Sequence, residues 1–210
     1  MMKICIASNN RNKIKQFGQI IAAEGIDAET CSAGDLGFCG FPPEDAETFL
    51  GNSLIKAAAV RNFLEEKGIA GDYFVLSDDS GICVDALGGA PGVHSARFSG
   101  ENASDEDNNK KLISLLSGYP EAERTAHYAC VVTMILPNGD VISGQGTVYG
   151  RMIDTPRGSD GFGYDPYFYV DSKAATFAEL SPCDRNAMSH RGGALRKVIK
   201  EIKVRTADAV

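Results

Sequence analysis

The sequence predicts an α/β protein, and three observations carry that prediction. Lys3 to Ala7 has the pattern of a buried strand and is followed by a helical pattern in which Ile14, Phe17, Ile20 and Ile21 share one face. An apolar run, Tyr73 to Leu76, leads into two adjacent carboxylates, Asp78 and Asp79. Carboxylates at the end of a buried strand are where open α/β sheets place their chemistry. Two further apolar stretches, Ala126 to Leu136 and Val141 to Tyr149, flank Pro137-Asn138-Gly139-Asp140. The Asn-Gly pair accepts positive φ, so these stretches read as a β-hairpin.

Composition narrows the class. With 43% hydrophobic and 23% charged residues, a chain of 210 residues can bury a substantial core, which excludes disordered and fibrous classes. A net charge of −7 argues against a general nucleic-acid or membrane-surface binder, though not against a local basic pocket for a phosphorylated small molecule. Met1 to Ser8 lacks the apolar core of a signal peptide, and no apolar run is long enough to span a bilayer. Six dispersed cysteines without a C-x-x-C pair are expected to be free thiols in a cytoplasmic protein.

Taken in order, the elements are these. The polar hexapeptide Ser8, Asn9, Asn10, Arg11, Asn12 and Lys13 forms the turn from first strand to first helix. Its amides could meet an anion, with Lys13 as a point charge, or Asn10 or Asn12 could simply cap the helix. Ile26 to Cys31 is a short second strand, and Gly34 to Pro43 a loop ending in acidic Glu44-Asp45-Ala46-Glu47. Thr48 to Glu66 reads as a long helix with Phe49, Leu54, Ala57, Ala58, Phe63 and Leu64 available to a core and Gly68 beyond its end. Lys56, in mid-helix, is by default on a solvated face. After Asp78-Asp79, Ser80 and Gly81 are expected to turn the chain into a second apolar run, Ile82 to Val84. Ser104 caps a helix to Gly118; Ser181-Pro182 begins another through Met188; Ser189 to Gly193 interrupts it before a final helix from Ala194 to about Val204. No repeat or linker is visible, which predicts one domain over residues 1–210.

Four polar segments at strand or helix ends carry the chemistry. Ser8–Lys13 offers a backbone anion nest and Asp78–Gly81 a carboxylate pair; Phe162–Asp165 offers an aromatic platform and Ser189–Gly193 a cationic clamp. Neighbouring aspartates repel, so keeping both ionised favours a hard cation such as Mg²⁺. Together these are the parts needed for a metal-bound nucleotide polyphosphate. No G-x-x-x-x-G-K-[ST] is present, so the site is not of the Walker type.

The same segments resemble a known family. Ser8-Asn9-Asn10-Arg11-Asn12-Lys13, Ser77-Asp78-Asp79-Ser80-Gly81 with Gly88 to Arg97, Gly161-Phe162-Gly163-Tyr164-Asp165-Pro166 and Ser189-His190-Arg191-Gly192 are similar, in the same order, to signatures of the inosine triphosphate pyrophosphatase family. The resemblance implies an elongated two-lobed α/β fold with a central twisted mixed sheet flanked by helices and an active cleft between lobes. It also implies a homodimer and Mg²⁺-dependent hydrolysis of XTP, ITP and dITP to monophosphate and pyrophosphate. By that resemblance Asp79 is the catalytic carboxylate and, with Glu44, a metal ligand. Ser8 to Lys13, Lys56 and Ser80 contact the triphosphate; Phe162, Gly163, Tyr164 and Asp165 bind base and sugar; His190 and Arg191 meet the base. Arg185 stands where the family has a lysine. The family's Glu-Thr-Gly-x-Thr-Phe reads Glu44-Asp45-Ala46-Glu47-Thr48-Phe49 here, and its Glu-Asn-Ala reads Gly51-Asn52-Ser53. A nucleotide-binding sensor with weak catalysis and a general Mg²⁺ phosphatase are the competing functions.

Overall fold

The computed structural model describes residues 1–207. Its strands are β1 (Met2–Ile6), β2 (Ala28–Ser32), β3 (Phe74–Val84), β4 (Thr125–Ile135), β5 (Val141–Met152), β6 (Phe168–Val170) and β7 (Ala175–Thr176). Its helices are α1 (Arg11–Ala23), α2 (Phe49–Glu66), α3 (Asp105–Leu116), α4 (Pro182–Met188) and α5 (His190–Ala207). The strands form one seven-stranded sheet in the order β2-β1-β3-β4-β5-β6-β7. It is mixed: β1 pairs in parallel with both β2 and β3, while β6 runs antiparallel to β5 and β7. The predicted α/β class and mixed sheet are therefore present, as is the hairpin at Asn138-Gly139.

The chain forms two compact units. One comprises residues 1–79, 130–146 and 191 onward; the other comprises 80–129 and 147–190. In the first, strand alternation sorts the core onto two faces. Ile4, Ile6 and Leu76 pack with Phe17, Ile20 and Ile21 of α1 and with Leu195 and Val198 of α5. Cys5, Ala7 and Val75 pack instead with Ala57, Val60 and Leu64 of α2. The second unit has its own core, in which Ile82, Leu112, Leu116, Tyr128, Phe168 and Phe177 meet.

Three expectations need correction. Ser80-Gly81 is not a turn: β3 runs unbroken through Asp78, Asp79, Ser80 and Gly81. Gly81 serves close approach, since a Cβ there would lie 2.1 Å from the Gly92 carbonyl oxygen and 2.4 Å from Ser95 Oγ. The interruption at Ser189–Gly193 shrinks to Ser189, the C-cap of α4, because His190, Arg191, Gly192 and Gly193 are already the first turn of α5. Finally, α2 does not turn Leu54 and Ala58 inward. Its buried face is Asn52, Ser53, Lys56, Ala57, Val60 and Leu64, polar at the N-terminal end and apolar beyond. Lys56 is thus buried, not solvated, because carboxylates lie beneath it.

Candidate active site

The site begins with β3. Its pleat sends Asp78 to the α1/α5 face with Leu76, and Asp79 to the α2 face with Val75 and Ser77. The two carboxylates therefore face different neighbours: Lys13 and Arg191 contact Asp78, whereas Lys56 contacts Asp79.

On the α1/α5 face, Asp78 is 2% exposed. Its Oδ2 lies 3.0 Å from Lys13 Nζ and 3.4 Å from Arg191 Nε. Burial alone would push the carboxyl up. Lys13, then Arg191 and Lys56, outweigh it and hold Asp78 well below the usual carboxylate range. Gln16, one turn beyond Lys13, accepts from Arg191 Nη1 at 3.2 Å and closes the group. At Asp78, Lys13 and Arg191 supply the positive charge that offsets its own.

On the α2 face, Asp79 Oδ2 accepts from Asn52 Nδ2 at 3.0 Å, and Oδ1 lies 3.8 Å from Lys56 Nζ. The same ammonium bonds Glu44 Oε2, so Lys56 bridges the two carboxylates. Asn52 Oδ1 accepts from the Ala46 amide at 3.0 Å, tying the acidic loop to the helix. Burial pushes the Asp79 carboxyl up, and Lys56, Lys13 and the Asn52 bond offset this only in part. Two neighbouring carboxylates thus shift in opposite directions, one held ionised and one made more basic.

At the start of α1 the capping alternative is realised. Asn10 Oδ1 accepts from the amides of Asn12 at 2.9 Å and Lys13 at 3.2 Å, and Ser8 Oγ accepts from the Asn10 amide at 3.1 Å. Asn9, Arg11 and Asn12 are exposed beside this cap. Ser8–Lys13, Glu44, Lys56, Asp79 and Arg191 therefore belong to one unit with Asp78.

The remaining predicted residues, Ser80, Phe162–Asp165, Arg185 and His190, fall in the other unit. There the Tyr128 ring stacks on His190 at 4.6 Å between centroids and 8° between planes. The Tyr128 hydroxyl donates to Asp165 Oδ1 at 3.1 Å, and the Phe162 amide to Asp165 Oδ2 at 3.1 Å. Tyr164 is buried, its hydroxyl bonded to the Ser95 carbonyl at 2.8 Å. Of this loop's two aromatics, Phe162 is the half-buried one. A Cβ on Gly161 would meet Asp165 Oδ2 at 2.2 Å and Arg185 Nη1 at 3.1 Å, so this glycine lets the carboxylate and guanidinium close around the loop.

The arrangement suits anionic phosphate chemistry, and the comparisons with known proteins agree. A model of the Ham1 family matches residues 4–201. The chain belongs to the Ham1 family. This Ham1 chain is 39% identical over 203 residues to a dITP/XTP pyrophosphatase of Clostridium perfringens, covering 97% of this chain and 98% of that protein. It is 44% identical over 197 residues to a dITP/XTP pyrophosphatase of Geobacter sulfurreducens, covering 93% and 94%. Among solved structures, the Staphylococcus aureus Ham1 protein superposes with a TM-score of 0.80 at 36% identity, covering 97% of this chain and 99% of that one. The resemblance read from the four segments is borne out.

Gly51, where the resemblance implies a glutamate, lies against Ala46. A Cβ on Gly51 would lie 2.6 Å from the Ala46 Cβ, so the methyl at 46 occupies the room a side chain at 51 would need. Asn52, Gln16 and Tyr128 are the contacts that sequence reading missed. Asn52 and Gln16 had a faint signal, lying four residues before Lys56 and three after Lys13 on the same helical faces. Tyr128 had none, being an aromatic inside a strand.

Proposed function

We propose that this chain hydrolyses deaminated purine nucleoside triphosphates, XTP, ITP and dITP, to the monophosphate and pyrophosphate, removing them from the nucleotide pool. The observation that carries the reading is the divided aspartate pair on β3: one carboxylate locked ionised by Lys13 and Arg191, its neighbour buried and made more basic. Asp79 is the general base, taking a proton from the attacking water. A carboxylate raised above its ordinary value accepts that proton more readily than a free one. Asn52 fixes one oxygen of Asp79, and Lys56 faces the other. Within the first unit, Lys13, Lys56 and the Ser8–Asn12 turn bind the triphosphate. Asp78 holds Lys13 and Arg191 in place. Phe162 stacks on the purine, and Gly163, Tyr164, Asp165, Arg185 and His190 shape the base and sugar site.

Mg²⁺ is part of the proposal. Among the described residues no group of three or more His, Cys, Asp or Glu is placed to hold a metal. Mg²⁺ takes one or two carboxylates and completes its shell with water and substrate phosphate. Asp79 and Glu44 supply hard oxygen donors of that kind, already gathered around one cation, Lys56. When bound, Mg²⁺ neutralises phosphate charge and acidifies bound water. Among the described residues no helix is long and apolar enough to cross a membrane. A cytoplasmic homodimer, each chain acting as one catalytic domain, completes the reading; a monomeric mass at micromolar concentration would refute the dimer.

The decisive experiment incubates the protein with ITP and Mg²⁺ and identifies the products. Pyrophosphate with IMP supports the proposal. Orthophosphate would make it a general phosphatase, and binding without turnover a nucleotide sensor.

A further inference from the structure

Cys5 and Cys31 are directly opposed in the register of the parallel pair β1 and β2. Aligned residues of parallel neighbours point to the same face, and both thiols do: Cys5 lies in the core cluster beneath α2, and Cys31 packs against that cluster. Cys5 is 0% exposed, whereas Cys31, on the edge strand, is only half-buried. Adjacent strands are about 4.8 Å apart, within the roughly 4.4–6.8 Å Cα separation that a disulfide spans.

We propose that Cys5 and Cys31 form a peroxide-driven thiol–disulfide site. The half-buried Cys31 reacts first, its sulfur attacking one oxygen of hydrogen peroxide to give a sulfenic acid and releasing one water. The Cys5 sulfur then attacks the Cys31 sulfur; the S–S bond forms as the S–O bond breaks, and the sulfenic hydroxyl leaves with the Cys5 proton as a second water. Two thiols are oxidised and one peroxide is reduced to two waters. Burial favours this order, because Cys31 on the edge strand is the thiol of the pair that peroxide can reach, whereas Cys5 is fully enclosed. Cys39 and Cys183 are more exposed than either, and neither is a strand partner of another cysteine. The product would pin the edge strand β2 to β1, two residues before Ser8 and the triphosphate turn.

The test is made on the intact protein. The reduced chain is treated with hydrogen peroxide, its remaining thiols are alkylated under denaturing conditions, and its peptides are mapped without reductant. The expected result is a Cys5–Cys31 linked peptide pair, lighter by two hydrogens than the separate peptides and released by dithiothreitol. In Cys31→Ser, Cys5 should remain an alkylatable thiol at the same peroxide dose. Recovery of Cys5 as a free thiol beside a Cys31 sulfinic acid would overturn the proposal. So would linkage of Cys5 to another cysteine, or consumption of Cys5 in Cys31→Ser at the wild-type rate.

Discussion

Replacing each of the two adjacent aspartates by asparagine should give opposite results, and the structure says why. Asp78→Asn preserves shape but removes the charge between Lys13 and Arg191, leaving buried cations unmatched. Removing one partner from a buried ion pair costs roughly 3–5 kcal/mol. The Lys13 side chain is 16% exposed and can relax toward water, so the lower end applies, about 3 kcal/mol. For a chain of this size that is a fall in Tm of about 6–12 °C. Asp79→Asn instead removes a carboxylate that burial already disfavours, at the expense of a 3.8 Å contact with Lys56. Its stability should stay within about 1 kcal/mol of the parent, while turnover of ITP falls roughly 10²-fold or more for want of a base. Circular dichroism melts and pyrophosphate release, measured on the same preparations, read both quantities. A stable Asp78→Asn beside a destabilised but active Asp79→Asn would sink the division of labour proposed for β3.

The remaining predictions are as follows. Burial raises the Asp79 carboxyl in the metal-free protein, so its titration followed by NMR should lie above the ordinary aspartate value of about 3.9 and be absent from Asp79→Asn. The folded-state carboxyl of Asp78 is depressed, so its stabilising contribution is present above about pH 3.9 and is lost only as pH falls through its lower folded value. A pH-dependent loss of stability above pH 5 that Asp78→Asn abolishes would contradict that sign. Lys13→Ala should raise KM for ITP more than it lowers kcat, because it removes a charge-assisted phosphate contact; equal ITP affinity would return Ser8–Lys13 to a purely capping role. Arg191→Ala should lower stability by about 3 kcal/mol and leave the ratio of ITP to ATP turnover within about twofold. A collapse of that ratio would make Arg191 a base reader, the role its family resemblance implies. Gly51→Ala should destabilise the chain through the clash with Ala46, and the double variant with Ala46→Gly should recover most of the loss. Strict additivity in that cycle would show that the two positions are independent.

What the sequence by itself determined is local. The α1 cap at Asn10, the Asn138-Gly139 hairpin, the capping box at Ser104 and the α/β alternation depend on residues within a few positions of one another, where propensity and turn chemistry act. The ordered polar segments were equally legible, because their residue types are unusual for strand and helix ends. Only the tertiary structure decided what Asp78-Asp79 is. Read alone, Asp-Asp-Ser-Gly is turn chemistry, yet cations from three distant segments, Lys13, Lys56 and Arg191, make those carboxylates tolerable inside a continuous strand. The burial of Lys56 follows from the same cause, and so does the short strand pair β6 and β7, whose few residues carry too little pattern to be seen. A buried charge is stable only against its partners. Which partners meet is settled when β3 pairs with β1 and the pleat sends its two aspartates to opposite faces.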